Sequence, residues 1–152
     1  GMTFDEFSAA ALSAPAGAQG LRLIPHFDGE RTPNKPDATG SFYGITHKNF
    51  TRENIARASI EGVMAGMRYA SEAIGKLGVP INRILIVGGA ARNKAVQQIS
   101  AALFEQEIHI PSPGEYGKAE LPQWGGSSVE INKSDSKFDE ALFDSYRELI
   151  IN

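Results

Sequence analysis

A pair of glycines gives this sequence its best candidate for binding an anionic ligand. Residues 87–91 read Val-Gly-Gly-Ala-Ala and lie between an apolar run and Asn93, whose side chain can cap a helix. The free N–H groups and the dipole at a helix N-terminus favour phosphates, and Gly88 and Gly89 would let a ligand touch the backbone. Many turns between a strand and a helix use two glycines only for their tight geometry, so both interpretations stay open at this point.

The glycine pair matches neither of the two common nucleotide fingerprints. Gly88 and Gly89 are not followed by the spaced third glycine of a dinucleotide site, and no Gly-Lys-Ser or Gly-Lys-Thr closes a phosphate-binding loop. A nucleotide bound at this turn would therefore be held by another pattern.

The loop 28–33, Asp-Gly-Glu-Arg-Thr-Pro, places two carboxylates and a guanidinium close together in sequence. Glu30 and Arg31 have the hydrogen-bonding groups needed to orient a polyol. A solvated loop held by a salt bridge is the alternative. Three histidines lack the spacing of metal ligands, and we expect surface or strand positions and no chemical role for them: His26, His47 and His109.

Composition narrows the class of protein that carries these residues. The chain has 152 residues, 41% of them hydrophobic, which suits a single domain over 1–152. A net charge of -3 gives no basic footprint for nucleic acid, and the lack of cysteine excludes disulfides and cysteine-based sites. No apolar run is long enough to cross a bilayer and no signal peptide is visible, so we expect a cytoplasmic protein without membrane contact.

The first half of the sequence predicts two helices around two short extended segments. Thr3 and Glu6 have the spacing of a capping box, and Thr51 is the expected N-cap of a long helix with apolar residues at intervals of three and four. Small residues on one face of the long helix, Gly62, Gly66 and Ala70, predict close packing against its backbone. The predicted elements are helices at 3–12 and 51–77 and extended segments at 21–24 and 41–45.

The second half predicts a β-α-β unit around the glycine pair. The apolar run Arg83–Val87, rich in β-branched residues, is typical of a strand covered on both faces. A helix capped by Asn93 and a strand at 108–110 follow, which implies parallel pairing and a right-handed crossover. Beyond this unit we expect an irregular segment over 117–137 and an amphipathic helix over 138–150.

Together these motifs resemble the C-terminal domain of the FGGY family of carbohydrate kinases. Residues 29–33, Gly-Glu-Arg-Thr-Pro, are similar to a motif of its xylulokinase and gluconokinase branches, and Thr46-His47 is similar to the xylulokinases. Residues 88–93 resemble the adenosine motif of the actin-like ATPases. The family's second signature is matched by Gly40, Phe42, Gly44-Ile45, Asn54-Ile55 and Ala58-Ser59-Ile60-Glu61, and the resemblance covers about Ala16 to Tyr116.

The resemblance implies a partial actin-like, ribonuclease H-like ATPase domain of the α/β class. It implies that ATP phosphorylates a sugar hydroxyl, with D-xylulose favoured, Mg²⁺ bridging the phosphates and an aspartate taking the hydroxyl proton. ATP or ADP and a pentulose or related sugar would then be the partners. The resemblance assigns nucleotide binding to Gly88, Gly89, Ala90 and Asn93. It assigns Glu30 and Arg31 to a loop at the substrate cleft.

Three departures from the family pattern set further expectations. Ala90 stands where the usual motif has a third glycine, and its methyl group would narrow the approach to the backbone. The small-residue helix that the family carries after its Glu-Tyr pair is expected to be absent after Tyr116. The catalytic aspartate, the magnesium ligands and the early strands of the domain are expected in a portion that precedes residue 1, so the chain would be a fragment that is inactive alone.

Two other classes of function stay open at this point. A non-catalytic module derived from such a kinase would bind a nucleotide or associate with itself. An unrelated α/β domain would share only the β-α-β unit. Because strand edges that are normally paired would lack partners, we also expect dimers or larger homo-oligomers.

Overall fold

The computed structural model describes residues 1–104, 107–110 and 140–152. Within those residues, no helix has both the length and the apolar composition needed to cross a membrane. The predicted irregular segment over 117–137 and the first two residues of the predicted helix at 138–150 lie outside the described part. The elements are α1 Phe4–Ser13, β1 Arg22–Ile24, β2 Ser41–Tyr43, α2 Arg52–Lys76, β3 Arg83–Leu85, α3 Lys94–Leu103, β4 Glu107–His109 and α4 Glu140–Ile151, with 3-10 turns at Ala18–Gly20 and Gly89–Arg92.

The N-terminal helix α1 begins at the predicted capping box. The Glu6 N–H donates to Oγ1 of Thr3 at 3.2 Å, and the Thr3 N–H donates to the Glu6 carboxylate at 2.7 Å. That second bond is the largest cause that holds the pKa of Glu6 below its ordinary value. The helix start is therefore set by two reciprocal hydrogen bonds, as the spacing of the two residues predicts.

The small-residue face of α2 packs closely at one position and not at another. A Cβ atom at Gly62 would lie 2.1 Å from the carbonyl oxygen of Leu23 in β1. A Cβ atom at Gly66 would meet no atom within 4 Å among those described. The prediction of close packing is confirmed at Gly62 and wrong at Gly66, because β1 crosses α2 at the first glycine and does not reach the second.

The β-α-β unit is confirmed, with α3 between two parallel strands. Ile84 of β3 pairs with Ile108 of β4, and the Ile86 N–H donates to the His109 carbonyl at 3.0 Å. The expectation of a strand covered on both faces stays a prediction, since the observed strand ends at Leu85 and Val87 beyond it is 55% exposed. Ile84 and Ile86 pack on the core, Leu85 on the other face is half-buried, and Arg83 is exposed.

A buried ion pair within α2 also connects that helix to more distant parts of the chain. Glu61 of α2 is fully buried and accepts hydrogen bonds from Arg57 at 2.5 Å and from the Gly17 N–H at 3.0 Å. The Tyr146 hydroxyl of α4 donates to the same carboxylate at 3.4 Å. Burial, and then the charge of Glu61, raise the pKa of Tyr146 well above its ordinary value. The neutral hydroxyl thus remains a donor that ties α4 to α2.

Candidate functional site

The glycine turn that follows β3 is a single 3-10 turn leading into α3. Gly88 has φ of +91°, a backbone conformation that side-chain-bearing residues rarely adopt. The Ala91 N–H donates to the Gly88 carbonyl at 3.2 Å, and the Asn93 N–H donates to the Ala90 carbonyl at 3.0 Å. Backbone geometry therefore explains the glycine at position 88.

Gly89 has no such explanation in the described part of the chain. Its φ is not positive, and a Cβ atom placed there would meet nothing within 4 Å. Gly88, Gly89 and Ala90 are all exposed, so the backbone of this turn is open to a ligand. A glycine that neither packing nor backbone conformation requires is what close approach by a ligand would favour.

The turn opens into a groove of about 900 Å³ whose opposite wall is α1. That volume is within the range of small-molecule sites. Three of the four predicted nucleotide residues line it, namely Gly89, Ala90 and Asn93. The α1 wall carries residues that no sequence motif assigns to a site: Phe4, Asp5, Phe7, Ser8, Ala9 and Leu12.

Phe4 shows why the sequence does not reveal the α1 wall. Phe4, Phe7 and Ala11 recur at helical intervals, which predicts a helix and does not say which of the three is buried. In the structure Ala11 is fully buried, Phe7 is half-buried and Phe4 is 87% exposed. Helical spacing cannot separate a residue that packs on the core from one that lines a groove.

Asn93 caps α3 and also connects it to α1. Its Oδ1 accepts hydrogen bonds from the N–H groups of Ala95 at 2.9 Å and Val96 at 3.1 Å. The buried Ser8 hydroxyl donates to the same oxygen at 3.1 Å and accepts from the Ala95 N–H at 3.1 Å. The predicted cap is confirmed, and the structure adds a partner from α1.

The loop at 28–33 is ordered by Glu30 itself. Oε1 of Glu30 accepts from the N–H groups of Arg31 at 2.7 Å and Thr32 at 3.0 Å, and Oε2 lies 3.7 Å from Nδ1 of His26. The Thr32 N–H is the largest cause that lowers the pKa of Glu30 below its ordinary value. His26 is buried, 5% exposed, and lies outside the strands, which corrects its expected surface or strand position.

The two predicted sites are not brought together by the described residues. None of the residues that line the groove comes from the 28–33 loop. The Arg31 side chain is exposed, and the Glu30 carboxylate bonds the Arg31 backbone at 2.7 Å. The loop is thus a second, separate surface with a fixed carboxylate and an exposed guanidinium.

Comparison with known proteins places this geometry in a family. Residues 3–118 match the sequence profile described as "FGGY family of carbohydrate kinases, C-terminal domain". A xylulose kinase of Haemophilus influenzae is 34% identical over 104 residues, which is 68% of this chain and 21% of that protein. A gluconokinase of Bacillus licheniformis is 36% identical over 112 residues, which is 71% of this chain and 21% of that protein.

The fold agrees with the sequence comparison. The crystal structure of xylulose kinase from Bifidobacterium adolescentis superposes with a TM-score of 0.80 at 34% identity, covering 97% of this chain and 31% of that one. The chain spans about a fifth of the length of the xylulose kinase and the gluconokinase that it matches in sequence. The α/β, actin-like ATPase fold expected from the sequence is confirmed, and the interpretation as an unrelated α/β domain is wrong. The chain belongs to the FGGY family of carbohydrate kinases, within the C-terminal domain of that family.

Proposed function

We propose that this chain is the ATP-side portion of a carbohydrate kinase that transfers the γ-phosphoryl group of ATP to a sugar hydroxyl. The observation that carries the proposal is Gly89, a glycine that neither its conformation nor the packing of the described residues requires, at the mouth of a groove of about 900 Å³. Membership of a carbohydrate kinase family supplies the reaction class.

The nucleotide would be held by Gly88, Gly89, Ala90 and Asn93. The open backbone of the turn suits a close contact with the nucleotide, and the apolar wall of α1 suits its base. When bound, ATP supplies the phosphoryl group and Mg²⁺ neutralises the charge of its phosphates. Residues 1–104, 107–110 and 140–152 contain no cluster of three or more His, Asp or Glu side chains suited to a metal, so in this proposal the magnesium ligands are the phosphates and groups from elsewhere.

The sugar in this proposal is D-xylulose, and the loop of Glu30 and Arg31 faces it. Two relatives of this chain are named for xylulose and gluconate. Because Glu30 is already bonded to the loop backbone, Arg31 is the side chain available to a sugar hydroxyl. Once the chain is reconstituted with the N-terminal part of a xylulose kinase, Arg31→Ala should raise KM for D-xylulose and leave KM for ATP unchanged, with Lys35→Ala as the charge-matched control. An equal effect on both constants would contradict this assignment.

Reconstitution tests the kinase proposal. The chain is mixed with a separately made N-terminal part of a xylulose kinase, ATP, Mg²⁺ and D-xylulose, and ADP release is followed. We expect sugar-dependent turnover, and we expect Gly89→Val to abolish it without unfolding the chain, since a Cβ atom there meets no atom of the described residues within 4 Å. No turnover from a mixture that light scattering shows to be associated would contradict the proposal.

A second candidate function is a non-catalytic module that binds a nucleotide weakly or associates with itself. It is favoured by the exposed methyl group of Ala90, which lines the groove where the family's motif has a third glycine. Turnover in the reconstitution would exclude this candidate. Saturable ADP binding without turnover would favour it.

A further inference from the structure

The carboxamide of Asn93 has a fixed orientation because its oxygen accepts hydrogen bonds from three donors. Two are the Ala95 and Val96 N–H groups at 2.9 and 3.1 Å, and the third is the Ser8 hydroxyl at 3.1 Å. An amide nitrogen carries only donors and could not take the place of the oxygen against the two backbone N–H groups. The oxygen therefore points into the start of α3, and Nδ2 points away from it.

Ser8 is not needed for the cap itself. Asn93 already satisfies the two backbone donors, as an N-cap residue does. Ser8 comes from a different helix, 85 positions earlier in the chain, and its hydroxyl is bonded on both sides, to Asn93 and to the Ala95 N–H. A buried hydroxyl that bonds both the side chain of a cap and the backbone beside it restricts how that side chain can rotate.

The Nδ2 group is left for a ligand. Across residues 1–104, 107–110 and 140–152, no hydrogen bond from Nδ2 of Asn93 to a protein acceptor is present. Asn93 is half-buried and lines the groove between α1 and α3. Two N–H donors with one orientation, at the edge of a groove with an apolar wall, suit a hydrogen-bond acceptor on a nucleoside.

We infer that Ser8 is a positioning residue of the nucleotide site. It holds the Asn93 carboxamide so that Nδ2 donates to the nucleoside part of ADP or ATP, and it keeps α1 at the distance from α3 that the groove requires. This inference rests on the proposed function, and it assigns to α1 a part in nucleotide binding.

The test compares Ser8→Ala, Ser8→Thr and Ser13→Ala in the 152-residue chain, with ADP as the probe. Ser13 is the matched control, since it lies at the exposed end of the same helix and its hydroxyl donates to the Ala10 carbonyl of that helix at 2.8 Å. Ser8→Ala leaves the Ala95 N–H bonded to Asn93, so the chain should still fold. ADP affinity is measured by calorimetry, and the side-chain NH₂ resonances of Asn93 are followed by NMR after assignment through their loss in Asn93→Asp.

We expect Ser8→Ala to weaken ADP binding by about three- to tenfold, the effect of one hydrogen bond on an equilibrium constant. The ADP-induced shift of the Asn93 NH₂ resonances should shrink, Ser8→Thr should restore both readouts, and Ser13→Ala should change neither. Wild-type affinity and a wild-type shift in Ser8→Ala would overturn the inference while leaving the proposed function intact. Absence of ADP binding by the unmodified chain would overturn both.

Discussion

Ala90 is exposed and lines the groove, at the position where the resemblance to the family's adenosine motif leads us to expect a third glycine. Its methyl group extends from a turn whose neighbouring residue, Gly89, leaves the backbone open. At the scale of single residues, this methyl group is the feature most suited to limit how closely a nucleotide approaches. The same turn holds Ala91, which is buried and does not line the groove.

Ala90→Gly should therefore strengthen ADP binding. We expect the association constant for ADP to rise about three- to tenfold. This is at or below the low end of the effect that one methyl group has on affinity in a binding pocket. Ala91→Gly is the control, since it adds the same backbone freedom to the same turn without widening the groove. Titration calorimetry checks both variants, and an Ala90→Gly chain that binds no tighter than the unmodified one would contradict this role of the methyl group.

At the scale of elements, β1 fixes the position of α2 through the contact at Gly62. The carbonyl oxygen of Leu23 occupies the space that a side chain at this position would need, 2.1 Å from an added Cβ atom. Gly66 lies one turn later on the same helix, and a Cβ atom added there would meet none of the described atoms outside its own helix backbone within 4 Å. The two glycines thus form a matched pair on one helix: an added side chain would meet the backbone of β1 at Gly62 and open space among the described residues at Gly66.

Substitution of each glycine by alanine should change stability in opposite directions. Gly62→Ala should lower the free energy of unfolding by about 3 kcal/mol, since backbone and not a flexible side chain must move. Gly66→Ala should raise it by about 0.5–1 kcal/mol, because alanine is the better helix former. Urea denaturation checks the pair. Equal effects at the two positions would show that the described approach of β1 to α2 is wrong.

The elements that the sequence predicts well are those with local signals. The Thr3–Glu6 box and the Asn93 cap lie within a few residues of the groups that they bond, so their spacing is sufficient to locate the starts of α1 and α3. The open side of Gly66 and the exposure of Val87 depend on what lies across from them, which periodicity does not contain. For the same reason the sequence indicates the glycine turn but not Ser8, whose contact with Asn93 spans 85 positions.

At the scale of the whole molecule, the described strands form two separate sheets of two strands each. Within the described part of the chain, every strand therefore has one edge without a partner strand. Exposed apolar side chains lie close to these elements in sequence, including Val87 after β3 and Tyr43 in β2. Unpaired edges with apolar neighbours favour association with another chain.

We therefore propose that the chain forms homo-oligomers. Light scattering should give a mass at least twice the 16.4 kDa of one chain. Addition of the N-terminal part of a xylulose kinase should lower that mass if it competes for the same edges. A monomeric mass over the whole concentration range would refute the proposal.

The central claim is that this chain carries the nucleotide-binding half of a carbohydrate kinase, and calorimetric titration of the unmodified chain with ADP tests it most directly. We predict saturable ADP binding with Kd below about 1 mM, because the turn at Gly88 and Gly89 is open and a groove lies beside α1. Gly89→Val should abolish this binding. No heat of binding at millimolar ADP from a folded chain would contradict the claim.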